Sequence, residues 1–66
     1  MYNKVLTKLI NECKDNSPNP NEVINNYPDA SDFDKCIILL RTYKLTYGQI
    51  SSKMGSPSKK AIRASL

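Results

Sequence analysis

Proline stands at positions 18, 20, 28 and 57. Proline has no N–H to donate and its ring clashes with the preceding turn, so a helix stops or starts at it and an inner strand does not accept it. These prolines cut the chain into short segments, and in 66 residues the segments must share a single core. A domain of this size buries only about 60% of the surface its unfolded chain exposes, which leaves little room for a deep catalytic pocket.

The segments read as helices. Tyr2, Val5, Leu6, Leu9, Ile10 and Cys13 follow the i, i+3, i+4, i+7, i+8, i+11 spacing of one helical face, while Asn3, Lys4, Lys8, Asn11 and Glu12 fill the other. This predicts a first helix over about 2–15, ended by Asn16, Ser17 and Pro18. Asn19-Pro20 reads as a cap followed by proline in the first turn, opening a second helix over 20–27 with Val23, Ile24 and Tyr27 as its apolar face. Ser31 caps a third helix, and Asp32 and Asp34 suit the positive end of its dipole. Along it Phe33, Cys36, Ile37, Leu40 and Tyr43 share a face that Ile38 and Leu39 widen, so it should be the central helix. The run Cys36–Leu40 also fits a buried strand, but the cap before it and the period after it favour helix. Thr46 caps a fourth helix with Tyr47, Ile50 and Met54 inward, and Gly55 can take the left-handed conformation that ends it. Ser56 and Pro57 then start a fifth helix with Ala61, Ile62 and Leu66 packed inward. Tyr2 and Tyr27 read as packing residues.

Several function classes are disfavoured at once. The chain holds no histidine, so Ser/His and Cys/His nucleophile pairs and mixed Cys/His zinc sites are excluded. The two cysteines, Cys13 and Cys36, sit inside apolar patterns and read as buried free thiols, which fits a reducing, intracellular setting. No cofactor or metal site is expected, and Asp32 and Asp34 are explained by the helix start they occupy. The longest apolar run, Cys36–Leu40, is too short to span a membrane, and the N-terminus lacks the pattern of a signal peptide.

Charge is divided unevenly. Residues 1–40 hold four lysines against six acids, a balance of −2, and residues 41–66 hold six basic residues and no acid, a balance of +6. A basic third of this kind suits a polyanion. Its layout also suits groove binding, with Ile50 and Met54 as inner face, Ser51 as a small residue, Gly55 as the turn and Ile62 as anchor. Ser56, Ser58, Lys59, Lys60 and Arg63 cluster around the start and outer face of the last helix. This pattern over 46–66 resembles the helix-turn-helix family of DNA-binding domains, with Ile62 seven positions after Gly55 where many members have six, as a longer turn allows. A narrower stretch, "TYGQI" followed by Gly55, Pro57 and Arg63-Ala64, is similar to the DNA-binding segment of alkylguanine alkyltransferases, without their Pro-Cys-His-Arg active site. The resemblance implies a DNA-facing last helix and no alkyl transfer.

The sequence therefore predicts an all-α domain of four or five helices with a C-terminal helix-turn-helix, residues 1–43 as helical support and 44–66 as the binding unit. The expected function is sequence-selective duplex DNA binding in transcriptional regulation, with no enzymatic activity. The recognition helix, about 57–66, would lie in the major groove. Thr46, Lys53, Ser56, Ser58, Lys59, Lys60 and Arg63 are the expected nucleic-acid contacts, Arg63 the best suited to a base and the lysines to phosphates. A homodimer would double the contact set. The alternative is a protein-interaction module that uses the acidic half, Glu22, Asp29, Asp32 and Asp34.

Overall fold

The computed structural model describes residues 2–55 and 59–64, with side chains described at 2–55 and 60–62. Among these residues there are five helices and no strand: α1 (Asn3–Glu12), α2 (Pro20–Asn25), α3 (Asp32–Thr42), α4 (Tyr47–Lys53) and α5 (Lys59–Ala64). The run Cys36–Leu40 is helical.

Three helix starts follow from local side-chain chemistry. Asn19 Oδ1 accepts the Asn21 N–H at 2.9 Å, Ser31 Oγ accepts the Asp34 N–H at 3.2 Å, and Thr46 Oγ1 accepts the Gln49 N–H at 3.2 Å. Each satisfies one of the N–H groups that a helix start leaves without a partner. At Thr46 the exchange is reciprocal, because Gln49 Oε1 accepts the Thr46 N–H at 3.0 Å.

Helix ends depart from the sequence reading. α1 stops at Glu12 rather than 15, and Cys13 is already the C-cap residue, its N–H on the Leu9 carbonyl. α2 stops at Asn25 rather than 27, and the chain turns at once, with the Tyr27 N–H on the Ile24 carbonyl and the Ala30 N–H on the Tyr27 carbonyl. Tyr27 thus leaves the register of Val23 and lies 47% exposed, against the expectation that it packs. Ala61 is exposed as well, not inward. Adjacent helical residues lie about 100° apart, and α5 turns the larger Ile62 into the core instead. The expected start of α5 at Pro57 and the packing of Leu66 lie outside the described residues.

The core is one cluster: Leu6 and Leu9 from α1, Val23 from α2, Cys36, Ile37, Leu39 and Leu40 from α3, Ile50 and Met54 from α4 and its C-cap, and Ile62 from α5. α3 packs against α1, α2 and α4, and α5 packs against α4. The Tyr2 and Phe33 rings meet edge to face at 4.9 Å and tie the start of α1 to the start of α3. The Tyr43 hydroxyl donates to the Pro18 carbonyl at 2.7 Å and holds the α1–α2 loop against the end of α3. The radius of gyration, 10.7 Å, matches the value of about 10.8 Å that size scaling gives for a folded chain of this length.

The end of α3 carries an unusual residue. Tyr43 is its C-cap, the Lys44 N–H bonds the Arg41 carbonyl at 2.9 Å, and the Leu45 N–H bonds the Leu40 carbonyl at 3.2 Å. These two bonds form the Schellman motif, which requires a left-handed residue after the C-cap and usually has glycine there. Here it is Lys44, at φ +64°. After α4 the equivalent position is Gly55, at φ +82°, where a Cβ would meet no atom within 4 Å. The two sites predict substitutions of opposite sign. Lys44→Gly should raise stability by about 0.5–1 kcal/mol, and Gly55→Ala should lower it by about 1–2 kcal/mol. Urea denaturation followed by circular dichroism at 222 nm measures both.

Candidate nucleic-acid interface

The basic third is built on α4, α5 and the turn that precedes them. Ile50, Met54 and Ile62 are buried at 0%, 2% and 0% exposure, so α4 and α5 are held together from inside. Arg41, Lys44, Lys53 and Lys60 are all exposed. Of the expected contacts, Thr46, Lys53 and Lys60 are described with their side chains. Ser56 and Ser58, and the side chains of Lys59 and Arg63, lie outside the described residues.

Two pairings qualify which cations are available. Lys53 Nζ lies 3.7 Å from Glu12 Oε2, linking α4 to the end of α1. Both partners are largely solvated, and an exposed pair of this kind contributes about 0–1 kcal/mol, so Lys53 can leave Glu12 for a phosphate at small cost. Arg41 is held differently. Its Nη1 donates to the Tyr47 hydroxyl at 3.2 Å and its guanidinium carbon lies 5.6 Å from the Tyr47 ring centroid. The arginine thereby clamps the end of α3 to the start of α4. Thr46 is engaged as a cap through its acceptor oxygen and its N–H, and its hydroxyl hydrogen is the donor it could offer a phosphate. Gln49 spends its side-chain oxygen in the same box.

The Arg41–Tyr47 and Lys53–Glu12 pairs were not readable in the sequence, since each depends on how two helices meet. The only local hint was the i, i+6 spacing of Arg41 and Tyr47 across a turn.

Both thiols are free. Cys36 is fully buried, and burial, with a smaller contribution from Asp32, pushes its pKa from 9.0 up to about 11. Cys13 is half-buried, and its pKa is also raised, by burial first and then by Glu12, with Lys53 opposing. Burial and then Cys13 raise Tyr43. Neither cysteine has the electropositive, thiolate-favouring surroundings of a reactive one. Among the described residues no cluster of three or more His, Cys, Asp or Glu side chains could hold a metal ion. No described helix is long and apolar enough to cross a membrane. No protein-family model, curated protein or solved structure matches the chain.

The Cys36 thiol sets a pH dependence. Its pKa is higher folded than unfolded, so between about pH 9 and 11 the folded state binds more protons. Its contribution to stability is fully present below pH 9 and is lost as pH rises through about 11. The loss should reach about 2 kcal/mol by pH 10.5 and about 3 kcal/mol above pH 11, and Cys36→Ser should flatten the alkaline slope. Urea midpoints at pH 8, 9.5 and 10.5 for both proteins give the answer.

Proposed function

We propose that the chain binds duplex DNA without catalysing a reaction, using α4 and α5 as a helix-turn-helix, and acts in sequence-selective transcriptional control. The observation that carries the reading is the pairing of α4 and α5 around Ile50, Met54 and Ile62, with Gly55 at φ +82° between them, inside a stretch that holds six basic residues and no acid. In this reading α5 enters the major groove, Arg63 reads a base edge, Lys59 and Lys60 hold phosphates, and Ser56, Ser58, Thr46 and Lys53 contact the backbone around them. A dimer would engage two half-sites.

A second reading has one observation in its favour. Tyr27 is 47% exposed and lines a groove with Pro18, Glu22, Val23, Asn26 and Thr42. An exposed aromatic beside an acid suits a basic protein partner. Asp32 and Asp34 are poorer probes of that partner, because they sit half-buried in the first turn of α3, where reversal would also oppose the helix dipole.

A salt titration on mixed-sequence duplex DNA separates the readings. Wild type should bind at low salt, with log K falling steeply against log salt. The double variant Lys59→Glu/Arg63→Glu should lose binding, and Lys60→Ala should reduce the slope by about 1 if that lysine holds one phosphate. Glu22→Lys with Tyr27→Ala should leave DNA affinity unchanged. Absence of duplex binding at low salt would end the DNA reading and turn attention to the Tyr27 face.

A further inference from the structure

Lys44 stands where the Schellman motif favours glycine, and it keeps its side chain at some cost in backbone strain. Strain of this kind gathers where a side chain has work to do. The side chain lines an open groove of about 410 Å³ together with Asn16, Ser17, Thr42 and Tyr43. Two of the lining hydroxyls are committed to the walls. Tyr43 donates to the Pro18 carbonyl at 2.7 Å and Thr42 donates to the Ile38 carbonyl at 2.9 Å. The other three side chains are not committed. Among the described residues, Asn16, Ser17 and Lys44 make no side-chain hydrogen bond or ion pair, and all three are exposed. Among the described residues no carboxylate lines the groove.

We propose that this groove binds a phosphate group, with the Lys44 ammonium as counter-charge and the Ser17 hydroxyl and Asn16 carboxamide as neutral donors. The chemistry of the lining selects the ligand class. An ammonium offers three donors and no acceptor, a hydroxyl one donor and a carboxamide two. Together they suit an anion with several acceptor oxygens. A phosphate monoester carries about −1.5 to −2 charges at neutral pH and three such oxygens, more than a carboxylate can present. The walls are fixed before the ligand arrives, because the Tyr43–Pro18 bond holds the loop that carries Ser17 beside the turn that carries Lys44. The site lies on the α1–α2 loop and the end of α3, so it does not depend on α5 or on the DNA reading. The phosphate can come from a free phosphorylated small molecule or from a nucleic-acid backbone.

The test uses the full chain and amide NMR titration with inorganic phosphate at pH 7.5 and constant ionic strength, with acetate in parallel. Lys44→Gly is the decisive variant, because the left-handed backbone at 44 welcomes glycine and loss of fold cannot mimic loss of binding. Lys14→Ala removes an exposed lysine outside the groove as a control. Phosphate should saturate shifts at Asn16, Ser17, Tyr43 and Lys44, acetate should not, and Lys44→Gly should weaken binding about tenfold or more while Lys14→Ala leaves it unchanged. Shifts that stay linear in phosphate, equal saturation by acetate, or undiminished binding by Lys44→Gly would each overturn the proposal. Duplex DNA and a nucleoside monophosphate then assign the source. Weaker duplex binding in Lys44→Gly puts the phosphate on a nucleic acid. Unchanged or absent duplex binding, with the monophosphate still lost, puts it on a small molecule. If phosphate saturates the groove and wild type binds no duplex, this site stands and the DNA reading fails.

Discussion

Everything else in the domain depends on the burial of α3. Cys36, Ile37, Leu39 and Leu40 are at most 2% exposed and occupy more than one side of an 11-residue helix. A helix that is apolar over so much of its circumference must be covered on several sides. α1, α2 and α4 do this covering. α2, α4 and α5 have six, seven and six residues, too few to be stable in water on their own, where even favourable sequences need roughly 12–15. They are helical because α3 and its neighbours give their apolar faces somewhere to go. The last helix is coupled to α3 through this chain of contacts, with Ile62 sharing one cluster with Ile50 and Met54.

The parts of this fold that were legible in the sequence are those with local causes. The caps at Asn19, Ser31 and Thr46 work through atoms two or three residues away, and the residue type alone announces them. The stripe through Leu6 and Leu9 and the pair Ile50 and Met54 were legible for a similar reason, since helical period is a local property. Helix ends were not. Polar residues at 14 and 15 can continue or leave a helix, and the outcome at Cys13 depends on how the following loop is held. Tyr27 was misjudged because its place on the α2 face assumed a helix that had already stopped. The lysine in the Schellman position was illegible because glycine is the usual signal there.

The candidate site divides along the same line. Its basic character is a matter of composition and was plain from residues 41–66. Its internal pairings are not local. Glu12 reaches Lys53 from a different helix, so a charge balance taken along the chain overstates the free positive charge on α4. Arg41 is turned toward Tyr47 and acts as a strut between helices before it can act as a cation for a ligand. Composition gives the sign of a surface, and only packing tells which of its charges are already engaged.

That distinction bears on how the basic third could work. Cations that hold the scaffold and cations that meet a ligand carry the same formal charge but different energies. Arg41 makes a hydrogen bond and a ring contact that must both break before it can move, whereas Lys53 is held by one solvated pair worth about 0–1 kcal/mol. Lys44 has neither kind of partner among the described residues and sits on a strained backbone. The three cations therefore differ in what a ligand would have to displace. Among the described residues Lys44 has no contact to break, Lys53 has one solvated pair, and Arg41 has a hydrogen bond and a ring contact. Arg41 and Lys53 are carried by α3 and α4, so their positions persist only while the core under Ile37 and Ile50 is intact, in a small domain with little stability to spare.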